Sequence, residues 1–146
     1  MATTYSFVDT QAAIAGPGGA FSIREGSAEE GIKVTMRAAK NDLVIGADGF
    51  PLHSLRADNS ATVTITLLKN SPVNNLLSDM YNLQRLSSPL WGQNQITINN
   101  PIIGDLVTLQ AVAFAKQPEV VFAEKGGTNT WEFEAGSVLE VLAAAV

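Results

Sequence analysis

The chain has 146 residues, one ordinary domain's worth and enough to bury a core of its own. It has no cysteine and a single histidine, His53, which excludes disulfides, thiol catalysis, thiolate metal sites and any two-histidine zinc site within one chain. Its net charge is −5, and only 16% of residues are charged against about 25% in an ordinary soluble domain, so a phosphate-gripping surface is not expected and much of the surface is uncharged.

In chain order, "TTYSFVDTQAAI" predicts a first strand with Tyr5 and Phe7 on one face. Gly16, Pro17, Gly18 and Gly19 predict a turn. This turn is not a phosphate loop, because it has neither the G-x-G-x-x-G spacing nor a G-K-[ST] ending. "REGSAEEG" reads as a polar loop. "IKVTMRA" alternates, with Ile32, Val34 and Met36 on one face and Lys33, Thr35 and Arg37 on the other. "LVIG" predicts a short strand and "ADGF" a turn, with Pro51 interrupting any regular ladder after it.

The clearest pattern is "SATVTITLLKNSPVNNLLSDMYN". Val63, Ile65 and Leu67 alternate with Thr62, Thr64 and Thr66, the period of a strand. From Ser60 to Lys69 such a strand spans about 30 Å at ~3.3 Å per residue. Asn70 or Ser71 can cap a helix, and Pro72 suits its first turn. Val73, Leu76, Leu77, Met80 and Leu83 then recur at helical spacing, an amphipathic helix of about three turns. "RLSSPLWGQN" reads as a loop, and "QITIN" and "LVTLQAVAFAK" as strands, the second ended by Pro118. "EVVFAEKGGTNTWEFEAG" reads as a hairpin turning near Gly126 and Gly127, and "SVLEVLAAAV" fits strand or helix.

Seven or eight strands around one helix predict a mainly β (α+β) domain spanning 1–146. The expected architecture is an antiparallel β-barrel or sandwich with one α-helix packed on the outside. No apolar run approaches 18 residues, so no membrane-spanning helix is expected. The N-terminus lacks the basic start and long apolar stretch of a signal peptide.

A search for chemistry finds no enzyme-like constellation. The aspartates lie mostly in turns, where backbone geometry favours them. Glu132 and Glu134 alternate with Trp131 and Phe133, so both acids share one strand face about 7 Å apart. Glycosidase carboxylates usually stand on different elements around a cleft, so a wet strand face or a working acidic surface fits better. His53 has no serine–aspartate partners in its neighbourhood. Trp91 and Trp131 read as core or interface anchors before ligand-stacking platforms. No catalytic residue, cofactor or metal is expected.

Charge is uneven along the chain. Lys33, Arg37 and Lys40 have no acid between them, while only Lys125 offsets five acids from Glu119 onward. Solvated faces explain this pattern, and so do complementary patches on different copies of the chain.

Several stretches together resemble one family. These are "YSFVD", "IAGPGGAFSI", "AEEGIKV", "IGADGFPLHS", "TITLLKNSPVNNLLSDMY", "SSPLWGQNQITI" and "FAEKGGTNTWEFEAG", in that order from about Tyr5 to Gly136. The family they resemble is the tail tube proteins of contractile-tailed phages. The resemblance implies rings of six copies whose strands form one continuous inner barrel. Rings would stack into a hollow tube inside the sheath, and genomic DNA would pass through the lumen without specific binding. It implies a virion tail protein assembled in the bacterial host cytoplasm. Its partners would be other copies of itself, the tail sheath protein, and the baseplate and tail terminator proteins.

On this reading Thr62, Thr64 and Thr66, or Glu132 and Glu134, line the lumen. Inter-subunit candidates are Lys33, Arg37 and Lys40, meeting acids of a neighbour, and the loop containing Gly16, Gly18 and Gly19. The Ala38–Gly49 region and the chain ends are further candidates for contacts between rings. The alternatives are a tail terminator or baseplate ring, a secretion-system tube protein, and a β-sandwich carbohydrate-binding module using Trp91 or Trp131.

Overall fold

The alternating segments pair almost entirely with one another. The computed structural model describes residues 4–23 and 26–142, with backbone alone for 27–30. Its strands are β1 (Gln11–Gly16), β2 (Gly19–Ser22), β3 (Ser27–Met36), β4 (Asn41–Ile45), β5 (Pro51–Leu55), β6 (Ala61–Leu68), β7 (Asn94–Asn100), β8 (Asp105–Lys116) and β9 (Thr128–Val141). One helix, α1, runs from Pro72 to Gln84. Seven strands form an antiparallel sheet in the order β2-β1-β7-β8-β9-β6-β3, while β4 and β5 make a separate hairpin. The fold is therefore mainly β with one helix, and the sheet of a single chain is open, not a closed barrel.

The centre of the sheet is set by β6. Val63, Ile65 and Leu67 are fully buried, as their period requires. They meet Ile14, Ile96, Leu109, Phe114, Trp131 and Phe133 in one core. Each such side chain contributes about 1.5–3 kcal/mol on burial, so a one-residue slip of β6 would forfeit several kcal/mol. On β3, Ile32 and Val34 pack against this core as expected, while Met36 at the strand end is exposed.

One defect shared by β8 and β9 bends the sheet. Ala111 adopts φ +53°, in the left-handed region. Opposite it is Gly136, where a Cβ would stand only 3.0 Å from that of Ala111. Both strands change face at this point. Leu109 and Val112 are both buried although three residues apart, and Ala135 and Val138 both pack inward. The first half of β8 pairs with β7, and its second half continues beside β9 and β6. The sheet thus folds over its own core.

The opening is covered by α1. The Val73 N–H donates to the Ser71 hydroxyl at 3.3 Å, and Pro72 occupies the first turn. The buried stripe is Val73, Leu77, Met80 and Gln84, while Leu76 and Leu83 flank it and remain partly exposed. Gln84 is wholly buried and forms a reciprocal amide pair with Asn94, at 2.7 and 2.9 Å. It also donates to the Pro17 carbonyl at 2.8 Å. This clamp ties the helix end to the β1–β2 turn. Gly16 is required there, because a Cβ would lie 2.0 Å from the Asn94 side-chain oxygen.

Four expectations change and one open reading is settled. Pro51 does not interrupt a ladder: it is the first residue of β5, which pairs with β4 from Pro51–Ile45 to Leu55–Asn41. Phe7–Asp9 curl into a 3-10 turn, because Ser6 accepts from the Val8 N–H at 3.3 Å and from the Asp9 N–H at 3.1 Å. The first strand therefore starts only at Gln11. The polar "REGSAEEG" stretch is largely strand, since β3 begins at Ser27; residues 24 and 25 lie outside the described residues. The hairpin around Gly126 and Gly127 has only its second arm, because 117–127 form no strand. Pro118 removes a ladder donor there, and 117–123 join no backbone–backbone hydrogen bond among the described residues. Finally, "SVLEV" continues β9 to Val141, and 143–146 lie outside the described residues.

Gln84→Ala should cost about 1–3 kcal/mol in urea unfolding, because it strands the buried Asn94 amide. Substituting the half-exposed Leu83 should cost clearly less, and equal losses would rule the clamp out.

Candidate functional site

No cleft with catalytic groups forms among the described residues. A hollow of about 500 Å³ is a shallow dish lined by Thr64, Lys116, Glu119, Val121, Thr130 and Glu132 among others. No group of three metal-ligating side chains occurs among the described residues. Trp131 is 2% exposed, with its indole N–H donating to the Asn74 side-chain oxygen at 3.0 Å. It is a core anchor and presents no stacking surface. Trp91 stands edge-on to Tyr81, 6.1 Å between ring centroids. His53 meets only the Asn41 amide, on the exposed β4–β5 hairpin, among its described contacts.

The distinctive surface is the outward face of β3, β6, β9 and the second half of β8. Register brings the two sets of lumen candidates onto this one face. Thr62 lies opposite Glu134, Thr64 opposite Glu132, and Thr66 opposite Thr130. On the other side of β6, Lys33 lies opposite Thr64 and Thr35 opposite Thr62. On the far side of β9, Lys116 lies opposite Glu132, 3.6 Å between charged atoms. One row across the face therefore reads Lys33, Thr64, Glu132, Lys116. Lys33 and Lys116 stand among Glu132 and Glu134, with Glu119 beside them, so the face is polar and mixed in charge. Within it Thr66 is nearly covered, at 7% exposure, and Thr62 and Thr64 are half-buried.

The basic trio does not gather in one patch. Lys33 sits on this sheet face, whereas Lys40 donates to the Asn59 side chain at 2.7 Å. Arg37 acts on Asp58. That carboxylate is held below its usual range first by the Ser60 hydroxyl, then by the Ser60 N–H, and less by Arg37 and Arg56. The glycine turn also has work within the chain. Gly16 accommodates Asn94, Gly18 (φ +104°) packs on Met80 and Leu83 of α1, and Gly19 starts β2.

Sequence reasoning missed three features here. The fusion of the threonine and glutamate faces depends on pairing residues about 70 apart, which periodicity does not reveal. Lys116 was not singled out: alternation places it on the face of the buried Phe114, and only the register shift between Phe114 and Lys116 brings it opposite Glu132. The β4–β5 hairpin exposes Leu43, Val44, Ile45, Phe50, Leu52 and Leu55, and its unusual apolar content was legible.

An open antiparallel sheet with a polar, mixed-charge face, edges unpaired among the described residues and an exposed apolar hairpin is a surface suited to association. The chain belongs to the bacteriophage PhiTE tail tube protein family, whose model matches residues 1–143. It is a tube subunit of the virion tail. No curated protein matches it. Among solved structures, it is similar to a chain in the tail of an empty GTA particle with C6 symmetry, at TM-score 0.64 and 10% identity, covering 97% of this chain and 100% of that one. A chain of the PVC extracellular contractile injection system sheath–tube complex in the extended state aligns at TM-score 0.59 and 10% identity, covering 96% and 93%. One from the PVC sheath/tube terminator aligns at TM-score 0.60 and 12% identity, covering 95% and 97%. At these identities the likeness is one of fold.

The Lys116–Glu132 pair is too exposed to hold the fold together, with Lys116 75% accessible. A double-mutant cycle on Lys116→Ala and Glu132→Ala should give a coupling below about 1 kcal/mol in thermal unfolding. A coupling of about 3 kcal/mol would make the pair a structural element.

Proposed function

We propose that six copies of this chain close into a ring and that rings stack into the hollow tube through which phage DNA is delivered. The observation that carries this reading is the four-strand face itself, polar across its width and bounded at β3 by an edge that is unpaired among the described residues. Six copies follow the C6 order of the similar GTA tail. Four strands from each give about 24, and about 4.8 Å per strand gives a barrel at least about 37 Å across. Barrels of 16–18 strands already leave an aqueous channel, so such a wall encloses a wide one.

Lumen chemistry supports passage without binding. Each phosphate contact by a lysine or arginine adds affinity, so a basic wall would retain DNA. Here Lys33 and Lys116 stand among Glu132, Glu134 and the threonines, which screen them. Thr62 and Thr64 supply hydroxyls that water can match, and Thr66 contributes less because it is nearly covered.

The β4–β5 hairpin is assigned to contacts between rings. A lone two-stranded hairpin is marginally stable in water, and its exposed apolar residues need a partner surface. Arg37 and Lys40 lie at its root, where a neighbour's acids can meet them. The Gly16–Gly19 turn is clamped to α1 and acts as a rigid corner for the same stack. Sheath, terminator and baseplate proteins are the expected outer and end partners, as the similar sheath–tube and terminator assemblies suggest.

Negative-stain images of the purified protein should show rings or hollow tubes, and only monodisperse monomers at all concentrations would oppose the reading. Thr62→Arg with Thr64→Arg should leave tube assembly intact while phage titre falls at least tenfold. Unchanged titre with the double variant in place would remove these residues from the lumen wall.

A further inference from the structure

The ring reading leaves a mismatch in length. β3 has ten residues, and its outer edge carries no partner among the described residues. The opposite edge of the same half-sheet is β8, whose last pairing with β7 is at Val112. Only Ala113–Lys116 remain free there, four residues against ten.

The next stretch of chain can make up the difference. Gln117–Ala123 lie outside any helix or strand. Among the described residues, none of their backbone groups joins a backbone–backbone hydrogen bond. Val120, Val121 and Phe122 are 72%, 57% and 87% exposed, although this is a strongly strand-forming sequence. The segment nevertheless has a fixed place. Lys69 donates to the Val121 carbonyl, and its ammonium stands 4.4 Å over the Phe122 ring. One hollow beside the segment is lined by Thr128, Thr130 and Glu132, and another by Asn129 and Trp131. Those are opposite faces of β9, so the segment runs beside β9 in the plane of the sheet, as a ragged continuation of β8.

We infer that Glu119–Phe122 is an added strand for a second copy of this chain, pairing with the N-terminal half of that copy's β3 and lengthening the seam between subunits. This rests on the ring reading. Strand directions agree with it: β8, β9, β6 and β3 alternate, so the next copy's β8 and its continuation run antiparallel to β3. Pro118 lacks an N–H and sits at the start of the added strand, where that loss is tolerated. Lys69 is a positioning residue that holds the segment at the edge before the partner arrives.

The natural absence of cysteine makes the test direct. Full-length chains carrying Val120→Cys or Val121→Cys would be paired in turn with cysteine at each of positions 27–33, assembled and mildly oxidised. Facing residues of antiparallel strands lie about 4.5–5.5 Å apart between Cα atoms, within disulfide range. The expected result is covalent oligomers on non-reducing gels, up to the full ring, at alternate positions of β3. Ala113→Cys combined with Thr35→Cys or Met36→Cys serves as the seam control. If the control links and no strap pair does, the ring stands and this inference falls. If no ring forms and neither set links, the ring reading fails and takes the inference with it.

Discussion

The register of β6 between β3 and β9 governs the rest of the molecule. It sends Val63, Ile65 and Leu67 into the core and commits every intervening side chain to the opposite face. A shift by one residue would bury threonines and expose the core, at a cost of several kcal/mol. Because β9 is bound by the same register, Glu132 and Glu134 join the threonines while Trp131 and Phe133 point inward. The composition of the outer face is thus fixed by the needs of the inner one.

The remaining elements protect that arrangement. The joint change of face at Ala111 and Gly136 lets β8 and β9 serve both halves of the bent sheet, so one pair of long strands encloses the core from two sides. Helix α1 covers the opening and is fastened at both ends, by Asn74 on Trp131 and by Gln84 on Asn94 and Pro17. Much of the exposed apolar surface lies on the β4–β5 hairpin and the segment after β8. Those are the places where another copy can be accommodated without disturbing the core.

Local patterns in the sequence were legible where the physics is local. The alternation of Thr62–Leu67 and the Ser71–Pro72 helix start both correspond to what forms, within a residue or two. Failures came where partners decide the outcome. Val120–Phe122 have strand propensity but no strand partner among the described residues, so the propensity goes unused. Gln84 takes the buried end of the helix stripe where apolar spacing points to Leu83, because Asn94 and Pro17 satisfy its amide. The single polar face combining Lys33, Thr64, Glu132 and Lys116 depends on long-range pairing and was visible only as separate fragments.

The central claim is that this face looks into an enclosed channel. Labelling of Thr64→Cys in assembled tubes tests it most directly, since the chain has no other cysteine. A small maleimide should react, while a maleimide coupled to a globular protein wider than the channel should not, although Asn75→Cys on the exposed side of α1 accepts both. Equal reaction of Thr64→Cys with the bulky reagent along intact tubes would put the face on the outside and contradict the account.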